Sequence, residues 1–152
     1  MRTEKKQYPK EKSITLVLGE FQAPFLKLLE EIKCENIFLC EGRPSLKSSR
    51  SLVAVLNKKG IVPTIIADNM AGFLFKQNLV KEVWVSYQYV DDEGAMCAIG
   101  GLILGVLAKK HGIPLRVLPG VTQNRFLGTQ KEILYFEGTR VGPKGIKGYV
   151  PL

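Results

Sequence analysis

Three observations predict an α/β fold, a three-layer sandwich with a mostly parallel sheet between helices. Short β-prone apolar runs alternate five times with stretches of helical periodicity. The first run, Ser13 to Leu18, is continuous rather than alternating, the mark of a strand covered on both faces. Glycine stops and short connections separate the elements, as parallel strands joined by crossover helices require.

Residues 1–12 are polar and are expected to form a loose basic arm, leaving 13–152 as a single domain. The strand from Ser13 to Leu18 ends at Gly19-Glu20. From Pro24 to Ile32, Phe25, Leu26, Leu28, Leu29 and Ile32 fall at helical spacing, and Asn36–Cys40 supplies the next strand, completing a βαβ unit. Pro44 is read as fixing the start of a helix from Ser45 to about Lys59, which carries Leu46, Leu52, Val53, Val55 and Leu56 towards one side and stops at Gly60. Ile61 to Ala67 reads as a third strand ending at Asp68-Asn69, and a short helix over 71–76 leads to a fourth strand from Glu82 to Ser86. The acidic run Asp91-Asp92-Glu93 is expected to face the positive end of an apolar helix from about Met96 to Lys110. His111 reads as a cap at that helix's end, Gly112 closes it, and Pro114 to Leu118 forms a fifth strand. Beyond Pro119 the alternation lapses: Ile133 to Phe136 reads as an edge strand, and Gly138 to Leu152 as mostly irregular.

Composition narrows the function classes. A chain of 152 residues, 45% hydrophobic and 24% charged, fits one soluble domain that buries about two-thirds of its unfolded surface. No apolar run reaches the roughly 18 residues of a membrane span, and Met1-Arg2-Thr3-Glu4-Lys5-Lys6 leads into polar residues, so a cytoplasmic protein without membrane contact is expected. Cys34, Cys40 and Cys97 leave one cysteine unpaired under any disulfide scheme; Cys40 and Cys97 read as small core residues. With His111 the only histidine, neither a zinc site nor another cofactor is expected. The net charge of +8 is spread over Arg2, Lys5, Lys6, Lys10 and Lys12 at one end and Arg140, Lys144 and Lys147 at the other. Neither group interleaves aromatics or sits on a helix-turn-helix pattern, so weak, non-specific attraction to nucleic acid is the most that is expected.

The chemistry gathers where strands end. In open α/β sheets ligands sit outside the carboxyl ends of the strands. That rim holds Gly19 and Glu20, then Glu41, Gly42 and Arg43, then Asp68 and Asn69, then Ser86, Tyr87 and Gln88, with Pro119 and Gly120 last. An arginine beside helix-start amides can hold a phosphate bidentately, and nearby carboxylates can accept sugar hydroxyls. A sugar phosphate or nucleotide is the ligand class this suggests, with Gly19, Glu20, Glu41, Arg43, Asp68, Asn69 and Gln88 as candidate binding residues. The alternative is a rim that is polar because loops are polar, with Glu41 and Arg43 paired to hold their turn. Gly100-Gly101-Leu102-Ile103-Leu104-Gly105 lies in an apolar helical run rather than a phosphate loop, and its small residues suit close packing or a subunit contact. No P-loop, nucleophile elbow or kinase signature is present.

Several blocks resemble a known family in order and spacing. Glu41-Gly42-Arg43-Pro44-Ser45-Leu46-Lys47-Ser48-Ser49-Arg50 is similar to a segment of the initiation factor 2B alpha/beta/delta superfamily, which includes methylthioribose-1-phosphate isomerase and ribose-1,5-bisphosphate isomerase. Gly60 to Gly72, Lys109 to Pro114 and Gly138 to Gly145 are similar to further blocks. The resemblance covers about residues 13–148 and implies the family's C-terminal, Rossmann-like domain, without the helical N-terminal one. Where family isomerases carry a catalytic cysteine after the first strand, this chain has Leu18-Gly19. Where they carry a catalytic aspartate after the fourth, it has Ser86-Tyr87-Gln88, and the Asn-Gly-Asp and Asn-Lys groups that help hold phosphate appear as Glu93-Gly94-Ala95 and Cys97-Ala98-Ile99. The resemblance thus implies a catalytically silent module for ligand binding or assembly, with no catalytic residues. Its implied partner is a second copy or a homologous subunit, and a role in translation is compatible with it. The enzymatic alternative is an aldose-ketose isomerase with a rearranged site built on Asp68 or Glu20.

Overall fold

The most enclosed strand is β1, Ile14–Leu18, all five of whose residues are buried in the computed structural model, which describes residues 9–34, 36–121 and 130–148. Side chains alternate across a strand, so β1 feeds two cores. Ile14, Leu16 and Leu18 join Leu74, Phe75, Val83, Val85, Leu104 and Ala108 on one face. Val17 joins Phe25, Leu29, Leu39, Leu52, Leu56 and Trp84 on the other. Trp84 is fully buried and meets Phe25 edge-on at 5.6 Å between ring centroids. Each such side chain contributes about 1.5–3 kcal/mol through burial, so the two apolar layers carry the fold and the strand tips remain available for polar work.

The chain order is β1, α1 (Pro24–Ile32), β2 (Asn36–Cys40), α2 (Lys47–Lys58), β3 (Thr64–Ile66), a 3-10 turn at Asp68–Met70, α3 (Ala71–Lys76), β4 (Val80–Asp91), β5 (Gly94–Cys97), α4 (Gly101–His111), β6 (Leu115–Pro119), α5 (Gln130–Leu134), β7 (Tyr135–Phe136) and β8 (Thr139–Arg140). Strands β3, β2, β1 and β4 lie side by side and parallel, and β6 joins β4 in parallel. Among the described strands of this sheet only β5 runs antiparallel, paired with the outer half of β4. Helices α1 and α2 cover one face and α3 and α4 the other, the mostly parallel three-layer α/β arrangement expected.

Several expectations need correction. Helix α2 begins at Lys47, not Ser45, because Gly42 to Leu46 form a turn containing a cis Arg43–Pro44 bond and a left-handed Leu46. Strand β3 is confined to Thr64–Ile66 rather than spanning 61–67, since only those residues pair with β2. Strand β4 runs to Asp91 rather than ending at Ser86, and the acidic run turns it into β5 instead of leading a helix. The Asp91 carboxylate accepts the N–H groups of Glu93 and Gly94 at 2.9 and 3.2 Å, which fixes that turn. Helix α4 therefore starts at Gly101, not Met96, and Gly100 is its left-handed N-cap. A Cβ on Gly101 would stand 2.6 Å from Cys97 Cβ, so this glycine serves close packing against the end of β5. His111 ends α4 before a left-handed Gly112. The edge strand read over Ile133 to Phe136 is instead the end of α5 followed by β7.

The expected arm falls largely on residues 1–8, outside those described, but its end is tied to the domain. Lys12 N–H donates to Asn78 O, and the Ser13 hydroxyl to Lys10 O. Among the described residues no helix is long and apolar enough to cross a membrane.

Candidate functional site

The turn after β2 is held by backbone and carboxylate together. Glu41 N–H donates to Ile66 O at 2.9 Å, which continues the β2–β3 ladder past the strand ends. The next two amides, of Gly42 and Arg43, donate to Oδ1 and Oδ2 of Asp68 at 2.9 and 2.8 Å. The Ser49 hydroxyl donates to Glu41 O at 2.8 Å, and Leu46 N–H to Gly42 O at 2.9 Å. Asp68 is therefore a clasp on the backbone of this turn.

Two glycines set the shape. Gly42 has φ +73°, and a Cβ there would lie 2.1 Å from Ser48 Oγ. Gly19, at the tip of β1, has φ +120° and would place a Cβ 1.9 Å from Ser86 Oγ. Side chains at either position would collide with the first turn of α2 or with β4. Across the rim, Gln22 N–H donates to Pro119 O at 3.1 Å and Val121 N–H to Glu20 O at 3.1 Å, so the loops after β1 and β6 close one side.

A cavity of about 140 Å³ results, lined by Gly19, Glu20, Arg43, Lys47, Ser48, Ser86 and Gln88, with Ala98 and Ile99 from the β5–α4 connection among its apolar neighbours. Of the seven residues singled out from the sequence, Gly19, Glu20, Arg43 and Gln88 meet here. Glu41, Asp68 and Asn69 share the same edge without lining the cavity. Glu41 offers its backbone to the turn, Asp68 clasps it, and Asn69 is exposed on the 3-10 turn. Lys47 and Ser48 were not among those seven; the signal was their place in the first turn of the helix following Arg43, which points back at the strand tips.

Among the described residues Arg43 makes no ion pair, with Glu41 or any other carboxylate. Its guanidinium lies over the Phe136 ring, 4.6 Å from Cζ to the centroid. The cavity thus brings two cationic side chains, hydroxyls, an amide and one carboxylate together, a set suited to an anion bearing hydroxyl groups. Nearby Cys40 is buried, and that burial, reinforced by the Asp68 and Glu41 carboxylates, pushes its thiol up to about 12. It holds its proton at neutral pH and supplies no thiolate. No group of three or more His, Cys, Asp or Glu side chains among the described residues could hold a metal ion.

Residues 12–149 match the Initiation factor 2 subunit family. The chain is 32% identical over 136 residues to methylthioribose-1-phosphate isomerase of Thermosipho melanesiensis, covering 81% of this chain and 39% of that protein. It is 34% identical over 128 residues to the Syntrophus aciditrophicus isomerase of the same name, covering 76% and 35%. The fold is shared with translation initiation factor eIF-2B subunit delta from A. fulgidus, at TM-score 0.76 and 20% identity over 92% of this chain and 47% of that one. It is shared also with 5-methylthioribose 1-phosphate isomerase from Pyrococcus horikoshii, at TM-score 0.71 and 20% identity, covering 91% and 46%. The chain spans less than half the length of these proteins.

Proposed function

The chain belongs to the Initiation factor 2 subunit family, and from that premise we propose that it is a sugar-phosphate-binding and assembly module without isomerase chemistry. One observation supports this reading: the described lining residues of the cavity include the cations Arg43 and Lys47 but no cysteine and no aspartate, in keeping with the resemblance, which implies Leu18-Gly19 and Ser86-Tyr87-Gln88 in place of the family's cysteine and aspartate. Moving an aldose to a ketose requires a group that takes and returns a proton at carbon, and a glutamine amide does neither near neutral pH. A volume of about 140 Å³ is well below the ~300–1,000 Å³ of sites for drug-sized ligands. That favours a phosphate with part of a sugar over a whole nucleotide.

Glu20 supports a second reading. It is the one carboxylate among the described lining residues, and beside Arg43 it would serve as acid and base in a rearranged isomerase site. An aldose 1-phosphate assayed for both binding and turnover separates the two. Saturable binding that needs Arg43, without product, supports the silent module. Turnover abolished by Glu20→Gln supports the isomerase.

For assembly we propose a second copy docked on the outer face of α4, in a cytoplasmic setting. Leu102, Ile103 and Val106 are 83%, 63% and 58% exposed there, and Leu115 and Val117 continue the apolar surface onto β6. The acidic β4–β5 turn lies at the rim end of α4 and Lys109-Lys110 at the other end. Antiparallel pairing about a two-fold axis brings these opposite charges together. The same surface would serve a homologous subunit, and the concentration dependence of the mass of the pure chain tests self-association directly.

A further inference from the structure

The hairpin of β7 and β8 is remote from the cavity in sequence yet touches the arginine that lines it. Phe136 pairs with Thr139 and Tyr135 with Arg140, leaving a two-residue connection at Glu137 and Gly138. Both have positive φ, +48° and +80°, the combination of a type I′ turn, which matches strand twist and gives a stiff hairpin. Its stem is fixed: Val141 N–H donates to Leu134 O at 2.8 Å, and the Arg140 guanidinium donates to Gly142 O and Pro143 O at 2.7 and 2.9 Å.

Its tip makes two contacts with one unit of structure. The Phe136 ring faces the Arg43 guanidinium, and the Glu137 carboxylate pairs with Arg50 on α2, the helix that follows the Arg43 turn. An aromatic face attracts a guanidinium without consuming its N–H donors, which stay available to a second, anionic partner. An arginine already held in this way loses less rotamer freedom when the anion arrives. The Arg50–Glu137 pair is more than half exposed on both sides, so its contribution is the smaller of the two.

We propose that this hairpin is a strap that presets Arg43 for its anion, with Phe136 as a positioning residue and the Arg50–Glu137 pair as a latch; the proposal rests on the anion-binding reading of the cavity. The test is a titration of the full chain with inorganic phosphate and with ribose 5-phosphate, followed through the backbone amide shifts of Gly42 and Arg43, with Tm measured on each variant. Phe136→Ala weakens both ligands about three- to tenfold with a modest fall in Tm, because Phe136 is 37% exposed and only partly packed. Phe136→Tyr restores affinity, and Glu137→Gln has a smaller effect that fades at high salt. If Phe136→Ala lowers Tm sharply, Phe136→Leu carries the test, since it keeps an apolar contact without the aromatic face. Wild-type affinity in these Phe136 variants, with Arg43→Ala still unable to bind, overturns the strap and leaves the cavity reading standing. No saturable shift in the wild-type chain, or undiminished binding in Arg43→Ala, overturns the cavity reading and the strap with it.

Discussion

The Asp68 carboxylate accepts the backbone N–H of Arg43 at 2.8 Å, and its other oxygen accepts that of Gly42 at 2.9 Å. The aspartate at the tip of β3 thereby orders the turn that carries the arginine. Hydrogen bonds to a charged acceptor are stronger than neutral ones. We predict that Asp68→Ala costs about 2 kcal/mol of stability and weakens phosphate binding although Asp68 does not line the cavity. Asp68→Asn, which keeps one carbonyl acceptor, should fall between. Urea denaturation beside a phosphate titration checks this, and an Asp68→Ala protein with wild-type stability and affinity refutes the clasp.

Gly42 and Ser48 should be energetically coupled. A Cβ at Gly42 would lie 2.1 Å from Ser48 Oγ but 3.4 Å from Ser48 Cβ. Gly42→Ala is expected to cost about 3 kcal/mol, and in a Ser48→Ala background only the left-handed backbone penalty of about 1 kcal/mol should remain. A double-mutant cycle by denaturation measures the difference; strict additivity would contradict it.

Gly19 should tolerate no such rescue. A Cβ there would meet Ser86 Oγ at 1.9 Å, Ser86 Cβ at 2.7 Å and the Ser86 backbone nitrogen at 3.1 Å, so truncating Ser86 does not clear the space. Gly19→Ala is predicted to cost about 3 kcal/mol or more with or without Ser86→Ala. The thermal midpoints of the single and double variants decide it.

The three thiols should be sluggish in the folded protein, Cys40 most of all. Burial raises each above its ordinary value of 9.0, and Cys40 reaches about 12. A group whose pKa is raised on folding keeps its proton in the fold and releases it on unfolding. Its stabilising share is present below pH 9.0 and is lost as pH rises towards about 12. Alkylation at pH 8 should leave Cys40 unmodified until denaturant is added. The fall of the urea midpoint over the alkaline window should be shallower in Cys40→Ala. Rapid native labelling of Cys40 would contradict this.

If α4 carries the self-association surface, Leu102→Glu together with Ile103→Glu should give a folded monomer whose Tm no longer depends on protein concentration, because both side chains face outward from the single chain. Sedimentation equilibrium reads the mass. A wild-type chain that stays monomeric at high concentration, or a double variant that still pairs, removes that assignment.

Much of this was legible in the sequence where local pattern and tertiary environment agree. The continuous apolar run at β1, the spacing of Phe25, Leu29 and Ile32, and the glycine after α4 each respond to forces that act within a few residues. The β4–β5 hairpin is not legible in the sequence, because Asp91-Asp92-Glu93 suits a helix N-terminus as well as a turn, and only the pairing of Tyr87–Asp91 with Gly94–Cys97 distinguishes them. The start of α2 is ambiguous in the sequence, because proline at a helix's first turn and proline in a turn look alike there. At the rim, strand ends locate Gly19, Glu20 and Arg43, whereas Gln88 lines the cavity from within β4, past the point where that strand leaves β1. Which face of α2 turned towards them, and with it Lys47 and Ser48, depended on the turn that Asp68 holds. The contact of Phe136 with Arg43 joins distant parts of the chain, and no local pattern signals it.

The most direct test of the central claim is a phosphorus NMR titration of an aldose 1-phosphate with the purified chain, extended to long incubation. The account predicts a saturable change in the phosphate resonance that disappears in Arg43→Ala, and no ketose phosphate at any time. Appearance of a ketose phosphate signal that grows with protein concentration, or a phosphate resonance unaffected by the protein, would contradict it.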